Sequence, residues 1–321
     1  GYCVSSAGDV NMDGFTDILM GAVKATRFSR TEAGLVYLLF GTLGGIADFD
    51  AANFGGVDGI KIYGTTGSQL GFSASSAGDV NGDGIDDLVL GAPLYVANAP
   101  TRTSAGMVFV IFGKLSDWAD IDLNSFSAAS GLGFRVIGKN AYDYFGKSIS
   151  SAGDVNGDGY ADILIGAPNA DPPNRSDAGG AYVLFGHNNS STTFFVDIDL
   201  AKSSINGTLG FEVWGGSVGD RSGTVVIGGF DLNNDSYSDV AIGTYKKGYV
   251  DIIFGHNTSI SFNTIDIHAL SIGSESWGFR ISRLATSGDW MALSLSPGGD
   301  LNADGVDDLV IGSAASSFTG R

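Results

Sequence analysis

Ser150-Ser151-Ala152-Gly153-Asp154-Val155-Asn156-Gly157-Asp158-Gly159-Tyr160-Ala161-Asp162, followed by the apolar run Ile163-Leu164-Ile165-Gly166-Ala167-Pro168, decides how the chain is read. Its acidic loop occurs five times, opening at Asp9, Asp79, Asp154, Asp231 and Asp300, so the first aspartates lie 70, 75, 77 and 69 residues apart. A near-constant period of this size marks a repeat architecture, in which each unit is one supersecondary element that buries its apolar faces against its neighbours. The repeats run over about residues 1–69, 70–144, 145–220, 221–289 and, in part, 290–321.

Spacing sets the chemistry of the loop. Asp154, Asn156 and Asp158 stand at positions 1, 3 and 5 of a nine-residue turn, and Asp162 closes it at position 9. Four oxygen-bearing side chains are thereby able to converge, with the carbonyl of Tyr160 at position 7 as a fifth donor. The other sets are Asp9, Asn11, Asp13, Phe15 and Asp17; Asp79, Asn81, Asp83, Ile85 and Asp87; Asp231, Asn233, Asp235, Tyr237 and Asp239; and Asp300, Asn302, Asp304, Val306 and Asp308. Oxygen-only donors on a flexible loop suit calcium, a hard cation that takes six to eight oxygens, better than magnesium or a transition metal. The expectation is up to five calcium ions, one per loop.

The opening resembles a helix-loop-helix calcium hand, but that motif needs a glutamate at position 12. Position 12 here is Leu164, inside an apolar β-branched run, so these loops join strands. Asp-Gly and Asn-Gly pairs also form plain hairpin turns, yet a turn needs the glycine and not three aspartates. Gly159 at position 6 supplies a positive φ; the fourth loop has Ser236 there, which has to adopt φ > 0 at some cost.

Seventeen basic against 35 acidic residues give a net charge of −18, which argues against nucleic acid and anionic membrane as partners. Fifteen of the acids are the aspartates at positions 1, 5 and 9 of the five loops, and five divalent ions would bring the balance to −8. Cys3 is the only cysteine, which excludes an internal disulfide. No apolar run approaches the ~18 residues of a membrane span. With no initiator Met and no signal peptide, Gly1 reads as the edge of a mature or trimmed product.

Each repeat reads as four strands. A first strand precedes the loop, as at Phe72–Ser76 or Phe145–Ile149; a second follows it, as at Ile163–Ile165; a third is aromatic-rich, as at Gly34–Gly41; and a fourth lies at Gly59–Gly64, Gly133–Gly138, Gly210–Gly215 and Gly278–Ser282. Between third and fourth, an Asp-Ile-Asp-like element (Asp120-Ile121-Asp122, Asp197-Ile198-Asp199, Asp266-Ile267) sits in a longer connection. Four antiparallel strands per unit of ~70 residues describe a propeller blade, so the fold class is all-β.

Phe145 to Pro168 resembles the FG-GAP repeat of the integrin α-subunit N-terminal propeller and of many secreted proteins. The match is weaker in the fourth repeat, with Ser222-Gly223 for Phe-Gly and Gly243-Thr244-Tyr245 for Gly-Ala-Pro, and in the fifth, with Met291-Ala292 and Gly312-Ser313-Ala314. The resemblance implies a seven-bladed ring with calcium in the loops between the first two strands of a blade, opposite the usual ligand face. The sequence holds about four and a half blades. It is read as a fragment, with an open arc pairing head to tail with another copy as the alternative.

Variable connections between second and third strands (24–30, 95–102, 169–177) offer a partner surface, with Arg27, Phe28, Arg30, Tyr95, Arg102 and Arg175 as anchors for a protein or glycan ligand. Acceptor-like Asn-x-Ser/Thr sites at Asn174, Asn188, Asn189, Asn206 and Asn257 fit a secreted glycoprotein. A catalytic reading is disfavoured: there is no nucleophile elbow, no His-Glu-x-x-His and no phosphate-cradling loop, and identical sites on every blade describe scaffolding. His187 and His256 follow a strand-ending Phe-Gly, and His268 lies in a connection. The expected function is an extracellular or cell-surface calcium-binding propeller for adhesion or surface assembly. The alternatives are an accessory propeller of a larger secreted enzyme, resembling the arrangement in glycosylphosphatidylinositol-specific phospholipases D, and a carbohydrate-binding propeller lectin.

Overall fold

The computed structural model describes residues 1–44, 53–188, 195–205, 207–244, 246–258, 261–268, 277–282 and 290–314. Among the described residues, short β-branched and aromatic runs between glycines become 21 strands, and the only helices are single 3-10 turns at Gly56–Asp58 and Ala128–Ser130. None is long and apolar enough to cross a membrane.

Blade 1 comprises β1 (Cys3–Gly8), β2 (Asp17–Gly21), β3 (Leu35–Leu39) and β4 (Gly59–Tyr63). Blade 2 comprises β5 (Ser73–Gly78), β6 (Asp87–Ala92), β7 (Met107–Ile111) and β9 (Gly133–Ile137), with β8 (Ile121–Asp122) between the last two in sequence. Blade 3 has β10 (Ser148–Gly153), β11 (Asp162–Ala167), β12 (Gly180–Leu184) and β14 (Gly210–Trp214), with β13 (Ile198–Asp199) before the last. Blade 4 has β15 (Ser222–Phe230), β16 (Asp239–Thr244), β17 (Tyr249–Ile253) and β19 (Gly278–Ser282), with β18 (Ile265–Asp266) before the last. The fifth repeat contributes β20 (Trp290–Gly299) and β21 (Asp308–Ala314).

Four antiparallel strands per blade form as expected, but the first strand lies closer to the acidic loop than the sequence suggests, at Ser73–Gly78 for the expected Phe72–Ser76 and at Ser148–Gly153 for the expected Phe145–Ile149. A fifth strand is unexpected. The Asp-Ile-Asp-like elements are two-residue strands that add in parallel to the outer strand of the preceding blade: β8 on β4, β13 on β9 and β18 on β14, the last at Ile265–Asp266, one residue before the expected Asp266-Ile267. Each repeat therefore reaches back over the blade before it.

The chain forms two compact units, Gly1–Ile149 with Gly186–Ser204, and Ser150–Phe185 with Ile205–Arg321. In the first, the innermost strands of blades 1 and 2 meet, β1 on β5, with Ser5 Oγ donating to the carbonyl of Ala74 at 2.7 Å. Their shared core joins Leu19, Leu38 and Ile62 to Leu88, Leu90 and Phe109. In the second, β15 packs against both β11 and β20. Strands β6, β7, β11 and β12 are buried on every residue, which is why they read as unbroken apolar runs and not as alternation.

Three arginines of the variable connections complete the reach-back. Arg30 donates to the carbonyl of Gly64 (2.8 Å) and, bidentate, to Asp122 (2.7 and 2.8 Å). Arg102 holds Gly138, Lys139 and Asp199 (2.7, 3.0 and 2.7 Å), and Arg175 holds Gly215 (2.9 Å) and both oxygens of Asp266 (2.7 Å each). These three side chains are internal clasps, which corrects their reading as anchors for a partner. A planar, multidentate guanidinium is the group that ties a carbonyl and a carboxylate at once. Phe28 stays exposed, flanked by Arg27 and Arg30 at 5.4 and 5.0 Å from its ring centre. Tyr95 packs partly buried against the core of the first unit.

Candidate metal loops

All five acidic loops fold alike. At position 1, one oxygen accepts the N–H of position 5 at 3.0–3.1 Å and the other that of position 6 at 2.8–2.9 Å, from Asp9, Asp79, Asp154, Asp231 and Asp300 alike. The position-3 asparagines Asn11, Asn81, Asn156, Asn233 and Asn302 accept the same position-5 N–H through Oδ1. The position-5 aspartates Asp13, Asp83, Asp158, Asp235 and Asp304 accept the N–H of Phe15, Ile85, Tyr160, Tyr237 and Val306. Side chains thus satisfy the backbone of a turn that has no ladder of its own.

Position 6 has positive φ throughout, from Gly159 at 90° to Ser236 at 71°. The serine takes the strained conformation expected of it and keeps the loop's bond to Asp231 at 2.8 Å. Position 4 is a second left-handed site, occupied by Met12, Gly82, Gly157, Asn234 and Ala303, which the sequence reading missed because most of these are not glycine. Ser236→Gly removes the strain of one left-handed residue and is expected to raise stability by about 0.5–1 kcal/mol. Urea unfolding of the variant beside the parent checks this, and no gain would mean that serine sits there without cost.

Position 9 does something else. Asp17, Asp87, Asp162 and Asp239 are fully buried, whereas Asp308 is half-buried. Their Oδ2 accepts the N–H of position 2, from Val10, Val80, Val155, Leu232 and Leu301 at 2.8–3.1 Å. In Asp17, Asp87 and Asp239, Oδ1 accepts the N–H of the glycine two residues past the end of the third strand: Gly41, Gly113 and Gly255 at 2.8–3.0 Å. The position-9 carboxylate therefore ties its loop to the third strand of its own blade. Burial pushes its pKa up, to about 6 in Asp17, about 8 in Asp87 and about 7 in Asp239; the N–H donors oppose the shift and the other aspartates of the loop add to it.

Loops of neighbouring blades clasp one another. The N–H of Asp9 donates to Asp86 Oδ2 (2.9 Å), that of Asp154 to Ser238 Oγ (3.1 Å), and that of Asp231 to Asp307 Oδ2 (3.0 Å). The position-2 carbonyls of Val10, Val80 and Val155 accept the N–H of Lys114, His187 and His256, each at 2.9 Å. The histidine rings stack on Phe195 and Phe262 at 3.9 and 3.8 Å, so both residues join blades. His268 is exposed, its N–H on Asp266.

Among the described residues, no three carboxylates, imidazoles or thiols already converge as a metal-ready group. The donor chemistry still fits a hard divalent cation. Each loop concentrates at least three carboxylates and an amide oxygen in nine residues, and no aspartate at position 1 or 5 has a lysine or arginine partner among the described residues. A carboxylate has about four lone-pair sites, and the bonds above leave some of them unused. Asn174, Asn188 and Asn257 are exposed, whereas Asn189 and Asn206 lie outside the described residues.

Blades of this build, each with an acidic loop between its first two strands, define an FG-GAP β-propeller, and residues 4–39, 71–111 and 145–184 match the model of the FG-GAP repeat. The chain is similar to integrin α subunits. It is 32% identical to Integrin alpha-PS2 of Drosophila melanogaster over 201 residues, 60% of this chain and 13% of that protein. With Integrin alpha-E of Mus musculus it shares 35% over 163 residues, 50% of this chain and 12% of the other. With Phosphatidylinositol-glycan-specific phospholipase D of Bos taurus it shares 28% over 251 residues, 74% of this chain and 27% of the other. The aligned parts thus span only 12 to 27% of these relatives. The fourth and fifth loops lie outside the matched segments and keep the same bonds within the loop.

Proposed function

We propose that this chain is a non-catalytic, calcium-binding propeller module that works outside the cell in adhesion or surface assembly. The observation that carries the reading is the identity of the five acidic loops, position by position, on blades similar to those of integrin α. Positions 1, 3, 5 and 9 and the carbonyl of position 7 would hold the ion. A bound calcium ion would supply positive charge where three carboxylates otherwise repel, and would lock each loop to the strand that follows. Sites of this class work at the millimolar calcium of the extracellular space.

Equilibrium dialysis against calcium with elemental analysis should find up to five ions per chain, one per loop. At a hundredfold excess over Kd, each site adds about 2.7 kcal/mol of stability, so chelation should lower the melting temperature by at least ~5 °C. No bound ion, with a melting curve unmoved by chelator, would remove the basis of the proposal. A second reading, an accessory propeller of a larger secreted enzyme, is favoured by one observation: the phospholipase D relative aligns over more of this chain than either integrin does. A hydrolase domain in the flanking sequence would decide for it, stalk domains and a membrane span against it.

A further inference from the structure

Where blade 4 meets blade 3, the sequence departs from the repeat. Ser222 stands where blades 2 and 3 open on Leu70 and Phe145, and Thr244 where their second strands end on Ala92 and Ala167. The register of the third strand adds two more exchanges: Tyr249 for Met107 and Gly180, and Asp251 for Phe109 and Tyr182. All four side chains are buried.

Oxygens without donors collect here. Among the described residues, Asp220 Oδ1, Ser222 Oγ, Thr244 Oγ1 and Asp251 Oδ2 are buried with no hydrogen-bond partner. Ser222, Thr244 and Tyr249 stand in register across β15, β16 and β17, and the Tyr249 hydroxyl donates to Asp220 Oδ2 at 2.7 Å. Three residues before the matching glycine of the two preceding repeats, Ser68 and Asp143 occupy the place of Asp220. Both are satisfied: Ser68 donates to the carbonyl of Ala33 at 3.0 Å, and Asp143 accepts from the N–H and the amide of Asn140 at 3.1 Å. Buried polar groups without partners cost stability unless something supplies the missing bonds.

A cavity of about 270 Å³ opens beside these groups, within the second compact unit. Asp220, Lys247, Tyr249, Ile267, His268 and Arg280 line it. In blade 2 the connection between second and third strands reaches the equivalent joint, Leu94 donating N–H to the carbonyl of Ser68 at 3.3 Å. Its counterpart in blade 4, residues 245–248, is several residues shorter than 93–106.

The charges around the cavity cancel. Arg280 is paired with Asp251 at 2.6 Å and lies over the Tyr249 ring at 3.9 Å, while Lys247 is the cation beside Asp220. A ligand of either sign would find no unopposed charge, so a neutral one fits. Lys247 Nζ stands 3.9 Å from Asp220 Oδ1, beyond hydrogen-bond length. A hydroxyl oxygen set between them lies about 2.7–2.9 Å from each, accepting from the ammonium and donating to the carboxylate.

We propose that this cavity binds a neutral sugar ring through Asp220 and Lys247. Hydroxyls that both donate and accept match an acceptor-only carboxylate beside a donor-only ammonium. The exposed His268 adds a polar contact and Ile267 an apolar one, the mixture that small-molecule sites show. Binding here depends neither on calcium in the loops nor on any residue beyond this joint.

Saturation-transfer NMR on the intact chain, with glucose, galactose, mannose, fucose and N-acetylglucosamine as probes, tests the site. At least one should bind with a dissociation constant of about 10 mM or less. Lys247→Ala, at an exposed position, should fold and weaken that sugar about ten-fold or more, as should Asp220→Asn. Lys202→Ala, at an equally exposed lysine of the other compact unit, should leave it unchanged. No binding by any of the five would leave the buried oxygens to water and overturn the assignment. Binding that survives Lys247→Ala would overturn it too, as would a uronic acid or an amino sugar that binds more tightly than every neutral one.

Discussion

Asp87→Ala is expected to lower the unfolding free energy of the first compact unit by about 3–5 kcal/mol, and most of that loss should persist in chelator. The carboxylate is fully buried and accepts the N–H of Val80 at 3.0 Å and that of Gly113 at 2.9 Å. Truncation leaves two buried donors without acceptors, at about 1–3 kcal/mol each, in a space that water does not reach. The loss is expected whether the carboxyl is ionised or protonated, since the oxygens of both forms accept. Asp87→Asn keeps one acceptor oxygen but turns an amide NH2 toward the other donor, so about half the loss should remain. Asp83→Asn, at an exposed position of the same loop, should be within about 0.5 kcal/mol of the parent in chelator and clearly weaker only in calcium. Urea unfolding of the three variants, with and without calcium, separates the tie from the metal. If the Asp87→Ala loss vanished in chelator, position 9 would be a metal ligand and nothing more.

That division was only half legible in the sequence. The spacing Asp154, Asn156, Asp158, Asp162 located the loop and its strands, because residues nine apart or fewer constrain one another directly. The double role of position 9 was hidden because its second donor, Gly113 for Asp87, lies 26 residues away, just past the end of β7. The fifth strand was hidden for the same reason. A pair of residues has no periodicity to read, and Ile121 meets its partner Ile62 across an intervening blade's worth of chain. A signal was nonetheless present: Trp118, Phe195 and Phe262 each stand two residues ahead of the same short pattern. The clasping arginines were visible as residues and misread in role, since exposure of a loop does not tell where a long side chain ends.

Arg102→Ala is expected to cost about 3 kcal/mol at neutral pH, and the cost should shrink in acid. Arg102 is 6% exposed and holds two carbonyls and Asp199, itself buried enough that a stranded charge has little solvent to turn to. Burial alone raises the Asp199 pKa, but the bonds from Arg102, Lys202 and the Ala201 N–H outweigh it, and the carboxyl sits below its ordinary value. A group depressed in the folded state contributes stability that is complete above its unfolded pKa, about 4, and is lost as pH falls through the folded value. The gap between parent and variant should therefore be flat from about pH 5 to 8 and narrow below about 4. Arg30→Ala makes the comparison: its partner Asp122 is 42% exposed, solvent screens the pair, and about 1 kcal/mol is expected. Urea unfolding across this range reads both. An Arg102→Ala gap that stayed constant into acid would show that the arginine holds the blades by packing and by its two carbonyls, with the Asp199 charge contributing nothing.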